Sequence, residues 1–92
     1  MVEVLYFASI RDITQKNSEV FSIQSHQVED LVHELITRYP PLEDILWDGK
    51  SSSLKPSIAI AINHKIIPKH EYHNLELVGN EMIAFITPVS GG

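Results

Sequence analysis

EMIAFIT, residues 81–87, followed by PVSGG, residues 88–92, decides how this sequence is read. The first part is apolar on both faces, which places a strand inside a covered sheet and not at its rim. The second part ends on two glycines. At average usage two glycines close a chain by chance in about 0.5% of cases, so the ending points to chemistry at the carboxylate. Fully extended, Pro88–Gly92 reaches about 16–18 Å from the end of the strand. Pro88 stiffens the exit. Gly91 and Gly92 carry no Cβ, so the backbone fits a narrow channel and accepts positive φ there.

Working outward, VEVLYFA (Val2–Ala8) is a second apolar, β-branched segment and reads as another buried strand. Ile10-Arg11-Asp12-Ile13 leads into a polar turn, Thr14–Asn17, and EVFSI (Glu19–Ile23) returns, giving an N-terminal hairpin. The period then changes. Val28, Leu31, Val32, Leu35, Ile36 and Tyr39 share one helical face. Ser25 is the preferred N-cap by chemistry, Gln27 fits the start equally well, and Pro40-Pro41 ends the helix.

LEDILW (42–47) forms a short helical turn closed by Asp48-Gly49, and KSSSLKP (50–56) is a polar loop. SIAIAIN (57–63) suits an interior strand, Lys65–Ile67 a short strand stopped by Pro68, and HEYHN a surface segment. Gly79-Asn80 turns the chain into the final strand. The order ββαββ, with the first and last strands side by side in a mixed sheet and one helix across it, is the α+β β-grasp, or ubiquitin-like, layout. One domain spans residues 1–92, with 88–92 as a projecting tail.

Composition narrows the function. The 92 residues are 43% apolar and 21% charged, as in a small globular domain. No apolar run approaches a membrane span, and Glu3 stands where a signal peptide is basic; a soluble, cytosolic protein is expected. A net charge of −5, with seven scattered Lys and Arg, argues against nucleic acid and for a basic protein partner. Zero cysteines means that any sulfur must come from elsewhere. His70-Glu71-Tyr72-His73 reads as a solvated loop, so no metal site is expected. Trp47 reads as a lid on the core. A carboxylate becomes an acyl donor after adenylation by ATP, and the product is an isopeptide, a thioester or a thiocarboxylate; the residues alone leave these open.

VEVLYFASIRDIT, AIN and GNEMIAFITPVSGG together resemble the small-subunit family of molybdopterin synthase, in order and over nearly the whole chain. The resemblance implies a sulfur carrier and no enzyme by itself. Gly92 becomes a glycyl adenylate and then a thiocarboxylate, with Gly91 beside it. A ubiquitin-activating-like enzyme consumes ATP and a sulfurtransferase supplies sulfur, with no cofactor bound permanently. The loaded tail then delivers sulfur to cyclic pyranopterin monophosphate in a large subunit, within a heterotetramer of two small and two large subunits. Pro88, Val89, Ser90 and Arg11 are the expected partner contacts, with Phe85 on an uncovered sheet face. The chain departs from the family pattern at Asn80, where Asp is common, and at Thr87, where a second proline is common. Related carriers for thiamine or tRNA thiolation, a protein modifier and a plain interaction module are the alternatives.

Overall fold

In the computed structural model, which describes residues 1–22 and 26–87 and only the backbone of residues 73–74, the chain begins with β1 (Val2–Leu5), α1 (Ala8–Thr14), β2 (Ser18–Phe21) and α2 (Val28–Arg38). A single 3-10 turn (Pro40–Leu42) leads to α3 (Glu43–Leu46), β3 (Trp47–Asp48) and β4 (Ser53–Leu54). Then come β5 (Ala59–Ile62), β6 (Lys65–Ile66), a longer 3-10 segment (Lys69–Asn74) and β7 (Met82–Ile86). Five strands form one mixed sheet in the order β2-β1-β7-β5-β6, and β3 and β4 make a separate small ladder.

The last strand lies in the middle. β7 runs parallel to β1, with Glu3, Val4 and Leu5 level with Met82, Ile83 and Ala84. On its other side it runs antiparallel to β5, with Ala59 level with Ile86 and Ile62 with Ile83. This is the β-grasp sheet expected from the two doubly apolar segments. α2 crosses one face and buries Val28, Leu31, Val32 and Leu35 against Val2, Val4, Ile60, Ile83 and Phe85. Glu29 and Asp30 in its first turn and Arg38 in its last suit the helix dipole. Tyr39, held at φ −132° before Pro40, ends it.

Three local expectations need correction. Residues 8–14 form a helix and not a lead-in to a turn: Ile10 and Thr14, one turn apart, are buried, and Ile13 packs on the core. Gln15 closes α1 in the left-handed region at φ 62°. Part of the 50–56 loop is the strand β4, paired to Trp47 and Asp48. The HEYHN segment is not purely surface, since the half-buried Tyr72 hydroxyl accepts the Ile60 N–H at 2.9 Å along the edge of β5. β2 begins one residue earlier than expected. Ser25 and Ile23 lie outside the described residues, and Gln27 sits at the N-cap position of α2.

Candidate functional site

β7 is pinned hard at its start. The chain turns at Gly79 with φ +107°, a conformation that glycine adopts without strain. The buried Glu81 carboxylate accepts the backbone N–H groups of Val78 (2.6 Å), Gly79 (2.9 Å) and Asn80 (3.1 Å). Burial alone would raise its pKa; the backbone hydrogen bonds outweigh burial and hold it below the usual value. The Glu81 carbonyl accepts Glu3 N–H, and the amino terminus bonds to the Gly79 carbonyl. From the other side, Asn63 gives Met82 a two-point clip: its N–H donates to the Met82 carbonyl (2.8 Å) and its Oδ1 accepts Met82 N–H (3.0 Å). Asn63 and His64, both at positive φ, make the tight β5–β6 turn that aims this side chain. A one-residue slip of β7 would break all these contacts and move everything beyond Ile86 by about 3.3 Å.

The face away from α2 has no covering element among the described residues. Along β7, Ile83 and Phe85 point to the helix, while Met82, Ala84 and Ile86 point outward. With Leu5, Ala61 and Ile66 these last three line an apolar depression of about 260 Å³, and Phe7 and His64 stand at its margin. Phe7 is 47% exposed, Ile66 57% and Ile86 37%. Exposed apolar side chains gathered on one face of a small protein mark a contact surface. Phe85 is 1% exposed and belongs to the core, so the expectation that it meets a partner directly is corrected. The sequence signal for the outward residues was the alternation of β7, once the covered face is known.

Arg11 lies on the exposed side of α1, beside a shallow polar hollow that Asp12, Gln15, Lys16 and Asn17 also line. No ion pair joins Arg11 to Asp12 among the described residues. Behind the hollow is a cluster that sequence reasoning missed. Glu19 accepts hydroxyl hydrogen bonds from Tyr6 and Tyr39, each at 2.8 Å, and pairs with Lys16 and Arg38, each at 3.0 Å. Burial alone would raise the Glu19 pKa; the bonds from Tyr39, Tyr6, Lys16 and Arg38 together bring it down to about 2. Burial first, then Glu19, pushes the Tyr6 hydroxyl well above its ordinary value. The cluster ties the segment after β1, the α1–β2 turn, β2 and the end of α2 together.

Trp47 is half-buried on the core, as a lid would be, with its ring 4.6 Å from that of His33. Among the described residues no group of three or more His, Asp or Glu is placed to hold a metal ion, and no helix is long and apolar enough to cross a membrane. Pro88, Val89, Ser90, Gly91 and Gly92, the expected reacting and contacting tail, lie outside the described residues.

Residues 4–92 match the ThiS family. The chain is 34% identical over 92 residues to the human molybdopterin synthase sulfur carrier subunit, covering 99% of this chain and 93% of that protein. Among solved structures, small archaeal modifier protein 1 of Methanosarcina acetivorans is 32% identical, with a TM-score of 0.74 over 99% of this chain and 95% of that one. The Haloferax volcanii SAMP1 structure, at 21% identity and a TM-score of 0.79, covers 99% and 98% and supports the fold. A parallel β1–β7 pair at the sheet centre, one helix across it, and a match that begins in β1 and runs to residue 92 agree: this chain belongs to the ThiS family of ubiquitin-like, β-grasp proteins.

Proposed function

We propose that the chain is a sulfur carrier for molybdenum cofactor synthesis, acting in the cytosol as the small subunit of a molybdopterin synthase and not as an enzyme by itself. The observation that carries this reading is the full-length 34% identity to a protein named for that role; the Gly91-Gly92 ending suits it. In the proposed cycle the Gly92 carboxylate attacks the α-phosphate of ATP in a ubiquitin-activating-like enzyme and expels pyrophosphate. A persulfide of that machinery then attacks the acyl carbon and displaces AMP, and a second thiol cleaves the resulting acyl disulfide, forming a disulfide on the donor and leaving a thiocarboxylate; the chain has no cysteine of its own. The loaded tail enters the large subunit, with two small and two large subunits in the assembly; cyclic pyranopterin monophosphate takes the sulfur, and water hydrolyses the acyl carbon so that the tail leaves as an ordinary carboxylate.

This chain's part is placement. The strand pinned by Glu81 and Asn63 delivers the tail from a rigid base, and the open face of Met82, Ala84 and Ile86 gives the partner a surface beside the exit. Val89 and Ser90 would line the entry channel, Pro88 would keep the tail from folding back, and Arg11 would contact the rim. A second reading, a protein modifier joined through Gly92 to an amine, is favoured by the 32% identity to an archaeal modifier protein. Both use the same activated carboxylate.

The test pairs stability with product. Deleting Gly92 shifts the reacting carbon by about 3.5 Å, and a misplacement of 1 Å costs on the order of 100-fold in rate. The deletion should leave thermal unfolding unchanged and abolish molybdopterin formation in a reconstituted synthase. Gly91→Val, bulky and averse to positive φ, should do the same. Normal product from the deletion would exclude the carboxylate as carrier. Product loss with a substrate amine joined to the wild-type terminus would favour the modifier.

A further inference from the structure

A separate cavity of about 180 Å³ lies between the first turn of α2, β4 with the residues after it, and the 3-10 segment Lys69–Asn74. Much of its wall is apolar: Val28 is buried, Leu54 and Tyr72 pack on the core, and the exposed Pro56 completes it. The Tyr72 hydroxyl is engaged by the Ile60 N–H and the Ile58 carbonyl, so what Tyr72 can offer the cavity is its ring. Two cations also stand in the wall. Lys55 Nζ donates to the Asp44 carbonyl and Lys69 Nζ to the Pro56 carbonyl. These bonds hold each ammonium in place, and an ammonium keeps further N–H donors once one is used. No carboxylate pairs with either lysine among the described residues. Glu29 is the only acid among the described residues that line the cavity. The wall is therefore biased to positive charge, in a protein whose net charge is −5.

We propose that this cavity binds a small organic monoanion, a carboxylate carried on an aromatic or branched aliphatic body. The apolar wall takes the body. Lys55 and Lys69 take the carboxylate through charge-assisted hydrogen bonds. Size limits the body: a cavity of about 150 Å³ takes benzene, so this one holds roughly six to nine non-hydrogen atoms. Charge limits the head group. A monoanion and Glu29 together balance the two lysines. A dianion such as a phosphate monoester puts excess negative charge beside Glu29, where like charges repel.

The site is small and partly open. Lys69 and Pro56 are exposed, so water screens part of the attraction. A Kd of about 1 mM is expected of a ligand this size. The cavity shares no lining residue with the depression on the open sheet face. It needs no tail chemistry either, so it stands or falls separately from the sulfur-carrier reading.

Amide NMR of the full chain, titrated with sodium benzoate from about 0.1 to about 10 mM at constant ionic strength, is the direct test. The expected result is saturable shifts in the signals of Val28, Leu54, Lys55 and Tyr72. Benzamide, of similar shape but neutral, and acetate, which has the charge without the body, should each bind about tenfold more weakly. Phenyl phosphate, a dianion at about pH 8, should bind no more tightly than benzoate. Lys55→Gln with Lys69→Gln should keep the circular dichroism spectrum and lose about tenfold in benzoate affinity. Glu29→Gln should strengthen phenyl phosphate more than it strengthens benzoate. No saturable shift by about 10 mM overturns the proposal. Benzamide or acetate binding as well as benzoate also overturns it, as does a folded lysine double variant that binds normally. Phenyl phosphate binding more tightly than benzoate to the wild type overturns the monoanion assignment.

Discussion

Glu19 shows how far a single side chain reaches in this protein. One carboxylate receives two tyrosine hydroxyls and two cations from separate parts of the chain, and at 14% side-chain exposure it is screened only in part. Its folded pKa, about 2, lies below the ordinary 4.5. A depressed carboxylate stabilises the fold above its unfolded pKa, and that contribution is lost as pH falls through the folded value. Thermal unfolding followed from pH 6 to pH 2 should therefore show wild-type stability dropping below pH 4.5. Glu19→Gln, already less stable at pH 6 by roughly 2–3 kcal/mol, should show a flatter decline across the same window. Parallel curves for the two proteins would mean that the cluster does not hold the charge. Nothing in the spacing of Tyr6, Lys16, Glu19, Arg38 and Tyr39 announces this cluster, because helix and strand positions come together only after the sheet forms. Glu81 is different: Gly79-Asn80-Glu81 reads as a turn, and the turn's own N–H groups are what its carboxylate binds.

At the scale of elements, β7 separates the readable from the unreadable. Its apolar character on both faces was enough to place it in the sheet interior beside β1; that the two run parallel is seen in the structure. Which of its residues faces α2 was not readable, because both sets are apolar and periodicity does not distinguish two buried-looking faces. Phe85 consequently changes role, from docking residue to core. Phe85→Ala should cost about 3–5 kcal/mol of stability, seen as a large fall in the unfolding midpoint, whereas Ile86→Glu should unfold near the wild-type temperature and lose affinity for the large subunit. The reverse pattern would return Phe85 to the interface. α1 was missed for another reason. It has only seven residues, three of them β-branched, and Phe7 at its N-cap position makes no side-chain cap. The burial of Ile10, Ile13 and Thr14 at helical spacing stabilises it from the tertiary side. α2, with eleven residues and a continuous apolar stripe, was legible almost to its ends.

For the whole molecule, the described residues put an apolar sheet face on one side and α2, with Glu29 and Asp30 in its first turn, on the other. On the proposed reading, that division suits a protein of 92 residues with no cysteine to sulfur chemistry: the terminal carboxylate would react, and the body would serve as a handle with a docking face. The Gly91-Gly92 ending raises the expectation of chemistry at the carboxylate, and the choice among thiocarboxylate, thioester and isopeptide rests on kinship, since all begin from the same adenylate. The central claim is that Gly92 carries sulfur, and intact-mass spectrometry tests it most directly. The protein is incubated with a ubiquitin-activating-like enzyme, ATP and a sulfur donor, then weighed, with fragmentation to locate any change. The account predicts the mass gain of one sulfur-for-oxygen exchange, confined to Gly92 and dependent on ATP. An unchanged mass with an activating enzyme shown to adenylate another member of the family, or an exchange located anywhere other than Gly92, would contradict it.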